Sequence, residues 1–157
     1  MMHAPVGSVL IIDAGIGVVG DVAHALNAAG WPATVISGAT DQDQAAQIQD
    51  FASGIDEGTT GNIVYLFDHL AGSETPIHAQ LGAQALELAP KIRLNAICPG
   101  PVVPRGDINS KAGMEQWSSP ALGIKVPIEE IVGAIGFIID TPSITGQVIA
   151  LDGRVAG

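Results

Sequence analysis

The sequence predicts an α/β protein built on a doubly wound parallel sheet of about five strands. Short apolar runs rich in Val and Ile recur along the chain, and segments with a helical spacing of apolar residues separate them. Strands that alternate with helices form parallel sheets, and such sheets carry helices on both faces. The length of 157 residues fits one domain, which we place at residues 1–157.

Three strands are expected in the first half of the chain, at residues 6–12, 33–37 and 62–67. Each is a short run of apolar and β-branched residues, which is typical of buried strands. Residues 21–29 form a helix between the first two strands, because Val22, Leu26 and neighbouring alanines share one stripe. Gly30 then ends this helix. Residues 42–51 are polar and acidic and are compatible with a helix or a loop.

The second half of the chain adds helices at 77–88 and 127–139 and strands at 94–98 and 145–151. The fourth strand ends abruptly at Pro99, because the turn Pro99–Gly100–Pro101 cannot continue a sheet. Scattered Gly, Pro and Ser at 104–126 favour a long irregular loop. Pro127 and the two acids after it are typical of a helix start.

Charge and composition exclude several classes of partner. The net charge is −10, and all six Lys and Arg lie in residues 91–154. Nucleic acid and anionic membranes repel such an acidic chain, so neither is expected as a partner. The single Cys98 cannot form an intramolecular disulfide, and the N-terminus lacks the basic segment of a signal peptide. These features predict a cytoplasmic protein without a membrane span.

A glycine motif follows the first strand and opens the first helix. Gly15, Gly17 and Gly20 match the pattern G-x-G-x-x-G, whose glycines let the backbone approach a pyrophosphate at a helix N-terminus. The alternative is a plain strand–helix turn, since the chain contains 20 glycines. Asp13 would repel a phosphate there. The second strand ends without an acid for a ribose hydroxyl or an Arg for a 2′-phosphate, so we expect weak binding of NAD and a lower preference for NADP.

Five motifs resemble the short-chain dehydrogenase/reductase family, and residues 9–37 resemble it more weakly. The motifs lie at residues 61–67, 86–95, 99–102, 127–131 and 145–153. The sequence of residues 139–149 is most similar to the pteridine-reductase-like branch of the family. The resemblance implies a Rossmann-like fold. Only residues 38–61 connect the second strand with the third, so the fold is expected to be reduced relative to the family.

The resemblance also implies a nicotinamide dinucleotide as the cofactor. The residues that match cofactor-contacting positions lie in the glycine motif and in the loop after the fourth strand: Gly15, Ile16, Gly17, Gly20, Pro99, Gly100, Pro101 and Val102. Both segments follow strands at their carboxyl ends, where parallel sheets bind their ligands.

The catalytic residues of the family are missing from their expected positions. The family uses a Tyr and a Lys four residues later, and counting back from Glu87 places Leu70 and Glu74 there. Leu70 has no proton to donate, and Glu74 would repel a phosphate instead of holding the ribose. The resemblance therefore implies no catalytic residue in this chain. We expect a catalytically degenerate homologue that binds NAD(H) weakly or has a regulatory role as a homo-oligomer.

Two alternatives retain an activity. The first is an NAD(P)-dependent oxidoreductase of a carbonyl or pteridine-like substrate that uses His69 or Tyr65 as the acid. Tyr65 lies within the third strand, where core packing is the simpler interpretation. The second is a metal-assisted hydrolase or lyase built on Asp68, His69 and His78, with Glu74 and His78 spaced for one helical face. A solvated rim at the helix entrance explains these residues more simply, and no metal site is predicted.

Overall fold

The computed structural model describes residues 8–14, 18–36, 41–67, 76–99 and 126–151. Within them lie the strands β1 (Val9–Ala14), β2 (Ala33–Ile36), β3 (Gly61–Phe67), β4 (Ile92–Pro99) and β5 (Val148–Leu151). The helices between them are α1 (Val19–Ala28), α2 (Asp41–Ser53), α3 (Pro76–Leu88) and α4 (Ile128–Ile139). In the described part of the chain, no helix combines the length and the apolar character that crossing a membrane requires.

All five strands form one parallel sheet in the order β2-β1-β3-β4-β5. The predicted α/β class with a Rossmann-like parallel sheet is thereby confirmed. The polar stretch at 42–51 belongs to the helix α2. Among the described residues between β2 and β3, α2 is the only regular element, as the reduced fold implies.

Different helix pairs cover the two faces of the sheet. Side chains alternate along each strand, so Ile11 and Val64 face one side while Ile12 and Tyr65 face the other. α1 and α4 pack on the first side, and α2 and α3 pack on the second. We call these sides the α1–α4 face and the α2–α3 face.

The last crossover of the sheet differs in hand from the one before it. β3, β4 and β5 lie side by side, so the steps from β3 to β4 and from β4 to β5 go in the same direction. Their connecting helices, α3 and α4, nevertheless lie on opposite faces. The two crossovers therefore have opposite handedness, whereas about 98% of parallel crossovers are right-handed. That general rule alone would place α4 beside α3.

A Schellman turn ends α1 and brings Trp31 to the α1–α4 face. Gly30 has a φ of 94°, and the N–H of Trp31 donates to the carbonyl oxygen of Leu26 at 2.9 Å. This confirms Gly30 as the residue that ends the helix. The ring of Trp31 packs over Gly136 of α4, where a Cβ would lie only 2.7 Å from the ring atom Cη2. Because Gly136 has no side chain, α4 can approach this ring closely.

The buried cation Arg93 of β4 holds the end of α4. Arg93 is only 9% exposed, and it donates to the carbonyl oxygens of Ile138 at 2.7 Å and Ile139 at 2.8 Å. It also donates to those of Thr141 at 2.8 Å and Ile144 at 3.3 Å. Burial lowers the pKa of the guanidinium from its usual value, but an Arg stays charged near neutral pH. The charge thus lies at the negative end of the α4 dipole.

Side-chain hydrogen bonds fix the turn between α4 and β5. The Oδ1 of Asn95, a fully buried residue, accepts the N–H of Gln147 at 3.1 Å. The Oγ1 of Thr145 accepts the N–H of Leu94 at 3.1 Å, a place that a strand carbonyl would otherwise take. This is why β5 begins at Val148 and not at Thr145, where the sequence pattern places its start.

Candidate functional site

The carboxyl ends of β1 and β3 form the topological switch point of the sheet. The chain leaves β1 towards β2 on one side and later returns to β3 on the other, so the connections diverge between these two strands. Asp13 pairs with Leu66, and Ala14 pairs with Phe67, where the two strands end. In open parallel sheets the crevice at such a point is where ligands bind. It is therefore the candidate site of this chain.

The N-terminus of α1 opens onto this crevice. α1 begins at Val19, shortly after β1, and Val18 at its N-cap makes no side-chain hydrogen bond to the helix. The first N–H groups of a helix have no partner within the helix and carry partial positive charge. Since Val18 does not cap them, these groups can bind an anion such as a pyrophosphate. Val18 and Val19 are both buried, which anchors the start of the helix against the sheet.

The third glycine of the motif lies in the first turn of α1. Gly20 is exposed, and a Cβ built on it meets no atom within 4 Å. Close packing between helix and strand, one reason for a glycine at this place in the fingerprint, therefore does not apply here. The absence of a side chain at Gly20 leaves open space over the N-terminus of α1. A contact between Gly20 and a cofactor stays a prediction.

Backbone dipoles are the described groups that favour an anion at this edge. Lys91 and Arg93 are the two cations among the described residues, and neither lies at the carboxyl edge. Lys91 precedes β4 at the opposite edge, and Arg93 is engaged with α4. The half-buried Asp13 and Asp21, in the first turn of α1, both carry negative charge. A phosphate bound here would therefore depend on the N–H groups of α1, against some repulsion.

Several residues singled out in the sequence lie outside the described residues. They are Gly15, Ile16, Gly17, Asp68, His69, Leu70, Glu74, Gly100, Pro101 and Val102. Their roles stay predictions, including the absence of a catalytic Tyr and Lys. Pro99 is described: it is the buried last residue of β4, so it lies at the same edge of the sheet as the end of β1.

Tyr65 packs in the core of the α2–α3 face. It is 7% exposed and belongs to the same buried cluster as Leu81, and its hydroxyl lies 3.5 Å from Oε1 of Gln84. That distance is long for a hydrogen bond between two oxygens. The hydroxyl is thus directed towards α3, which gives no support to Tyr65 as a proton donor at the carboxyl edge.

The metal hypothesis and the oligomer hypothesis stay predictions. No group of three or more His, Cys, Asp or Glu within the described ranges could hold a metal ion, but most of the proposed ligands lie outside those ranges. His78 lies in the first turn of α3.

The large apolar side chains that the described structure leaves exposed are Leu86, at 79%, and Phe137, at 58%. They lie on α3 and α4, hence on opposite faces of the sheet.

Solved structures of several oxidoreductases share this fold. FolM alternative dihydrofolate reductase 1 from Brucella canis, complexed with NADP, matches with a TM-score of 0.66 and 18% identity over 98% of this chain and 95% of that chain. A small-chain dehydrogenase in complex with NADPH matches with a TM-score of 0.63 and 19% identity over 93% and 97%. A Burkholderia xenovorans protein, provisionally assigned to the short-chain dehydrogenases/reductases, matches with 0.56 and 22% over 91% and 74%. No family model and no curated protein matches the sequence.

These matches show that the chain resembles the short-chain dehydrogenases/reductases in its fold, as its motifs predict. The expected preference for NAD over NADP is not supported. Two of the similar structures described above contain NADP or NADPH.

Proposed function

We propose that this protein binds a nicotinamide dinucleotide at the switch point between β1 and β3, and that it lacks the hydride transfer of short-chain dehydrogenases/reductases. The observation that carries the binding is the N-terminus of α1. It contains the last glycine of the motif, receives no side-chain cap from Val18 and opens onto the ends of both strands. Similar structures with NADP or NADPH support the choice of ligand, so both NADPH and NADH are candidates.

The backbone would do most of the binding. The pyrophosphate would lie against the first N–H groups of α1 and the glycine motif, and the loop that Pro99 opens would contact the dinucleotide from the end of β4. A bound nicotinamide would supply a ring that gives or takes a hydride. With Leu70 and Glu74 in place of Tyr and Lys, this chain offers no proton donor of the family type beside that ring. Binding of the dinucleotide would then stabilise the protein or regulate it.

Fluorescence titration with NADPH and with NADH tests the binding. We expect a Kd below about 100 µM for at least one of the two nucleotides. A correctly folded protein that binds neither nucleotide at about 1 mM would contradict the proposal. Folding is checked in the same sample by circular dichroism, so a failure to bind cannot be mistaken for a failure to fold.

A charge placed at the helix N-terminus locates the site. We expect Gly20→Glu to weaken NADPH binding at least about tenfold, because the carboxylate would lie beside the pyrophosphate. The substitution meets open space at this exposed position and removes a helical glycine, so the melting temperature should not fall.

Gly82→Glu is the matched control. Gly82 is also exposed, also meets no atom within 4 Å and lies within α3, away from the N-terminus of α1. It makes the same change in net charge and should leave the Kd for NADPH unchanged. Equal Kd values for the two variants would place the nucleotide elsewhere.

The second candidate is an active oxidoreductase of a carbonyl or pteridine-like substrate. The shared fold with reductases and dehydrogenases favours it, with His69 as the acid now preferred over the buried Tyr65. Oxidation of NADPH with a panel of carbonyl compounds decides between the two functions. Turnover that His69→Ala abolishes, in a variant that still binds NADPH, would establish the activity and end the degenerate interpretation.

A further inference from the structure

A groove separates α2 from α3 over the middle of the sheet. It has a volume of about 570 Å³ and is lined by Gln44, Ala45, Ile48, Gln49, Tyr65, Gln80, Leu81, Gln84, Glu87 and Leu88. This volume lies within the range of small-molecule sites. The groove is on the α2–α3 face, and the switch point described above does not contribute to its lining.

The groove stays open because α2 makes little contact with the sheet. No side chain of residues 42–53 is buried; Ile48 and Phe51 are only half-buried against the core. On the opposite face, by contrast, α1 and α4 close over the sheet together, with Trp31 seated on Gly136. The α2–α3 face therefore has apolar surface at the bottom of an open channel.

The lining combines an apolar floor with amide walls. Leu81 and the ring of Tyr65 are buried at the floor. Two glutamines come from α2 and two from α3: Gln44, Gln49, Gln80 and Gln84. A carboxamide both donates and accepts, so the walls offer donors and acceptors around an apolar slot. A small number of convergent polar groups on an apolar surface fixes the orientation of a small ligand.

The charge of this face selects against anions. Glu87 is the one charged residue that lines the groove, and Asp43 and Asp50 are exposed on α2. The described lining thus carries one carboxylate and no Lys or Arg, which favours a cationic group over an anion in the groove.

We infer that the α2–α3 groove is a second binding site, for a small organic cation with a flat apolar body. The flat body would lie between the helices over Tyr65 and Leu81. The cationic group would take the Glu87 carboxylate and neighbouring glutamine oxygens as acceptors. The inference does not rest on nucleotide binding, since the groove and the switch point share no described residue.

Benzamidine and benzoate are the probes that test the inference. The two molecules share a flat ring and differ in the sign of their charge. In a ¹H–¹⁵N NMR titration we expect benzamidine to shift side-chain amide signals of the lining glutamines, with a Kd of about 1 mM or less. Benzoate should bind at least about fivefold more weakly. Saturating NADPH should not change the affinity for benzamidine. Equal affinity for both probes, competition by NADPH, or no binding of benzamidine would overturn the inference.

Two pairs of variants show whether the groove is the place of binding. Ala45 and Ala46 are adjacent and exposed on α2, but only Ala45 lines the groove. Ala45→Trp should abolish the binding of benzamidine, and Ala46→Trp should leave it unchanged. Glu87→Gln should weaken binding about threefold, whereas Glu57→Gln, at an exposed acid outside the groove, should not. Binding that survives Ala45→Trp would overturn the inference, even with both variants folded.

Discussion

Replacing Arg93 by Met is expected to lower the free energy of unfolding by about 3 kcal/mol or more. Met keeps an apolar stem of similar length but removes the guanidinium from four carbonyl oxygens. The carbonyls of Ile138, Thr141 and Ile144 each keep one other donor, whereas Arg93 is the one donor that the described structure gives the carbonyl of Ile139. An unpaired buried carbonyl costs about 1–3 kcal/mol, and each lost hydrogen bond to a charged donor contributes about 1.5–3 kcal/mol. A domain of this size is stable by only about 5–15 kcal/mol, so the loss is a large fraction. Urea unfolding followed by tryptophan fluorescence measures it.

Lys91 provides the matched control for Arg93. It is an exposed cation two positions earlier in the chain, so Lys91→Met makes the same charge change where nothing buried depends on it. Its effect should stay below about 0.5 kcal/mol. Arg93→Lys should fall between the two, because an ammonium keeps the charge but cannot span the acceptors as a guanidinium does. An Arg93→Met variant as stable as Lys91→Met would show that the hydrogen bonds to α4 are not important for stability.

The loss of unfolding free energy caused by Arg93→Met should not depend on pH near neutrality. Burial lowers the pKa of the guanidinium, which means that folding disfavours the protonated form. Stability would therefore rise with pH only as the pH passed through the folded-state pKa. An Arg remains protonated between about pH 5 and pH 9, so the difference between Arg93→Met and the parent should be constant over that range.

Gly136→Ala is expected to destabilise the protein by about 1–3 kcal/mol, although Ala is the better helix former. The new Cβ would lie 2.7 Å from Cη2 of Trp31, closer than real Cβ contacts come, and a tight 3.0 Å from Cζ2. Relief requires α4 or the half-buried indole to move, and either movement disturbs the α1–α4 face. Thermal and urea unfolding measure the cost.

Gly133 lies one turn earlier in the same helix and tests the reasoning. It is exposed, and a Cβ added at this position would meet no atom within 4 Å, so Gly133→Ala should stabilise the protein by up to about 1 kcal/mol. Trp31→Leu should remove most of the penalty of Gly136→Ala in a double-mutant cycle. Additive effects of Trp31→Leu and Gly136→Ala would contradict a clash between these residues.

The strands and the end of α1 follow from local sequence. β3 is predicted because β-branched and aromatic residues occur together at Ile63–Phe67. The end of α1 is predicted at Gly30 because a Schellman turn needs a residue with a positive φ, and glycine adopts it readily. α2 is different. Its side chains are exposed or half-buried, so no apolar stripe distinguishes a helix from a loop in the sequence. Only its position between β2 and β3 favoured a helix.

Long-range partners account for what the sequence could not predict. Arg93 stands in the buried strand β4, and a buried charge must have partners, so its importance was detectable. Its acceptors lie 45 or more residues later, and nothing local identifies them. The same holds for the face that α4 occupies, since the common right-handed rule points to the other one. The glutamines of the α2–α3 groove come together only through the sheet.

The position of α4 has a consequence for the segment that precedes it. Arg93, near the amino end of β4, holds the last residues of α4, so α4 runs back along the sheet and starts towards the carboxyl edge. Pro99 and the start of α4, which flank residues 100–125, therefore lie at one and the same edge. Lengthening a loop whose ends are fixed costs only about 0.6 kcal/mol per doubling. Evolution or a protein engineer could therefore lengthen or exchange residues 100–125 while the sheet stays as it is.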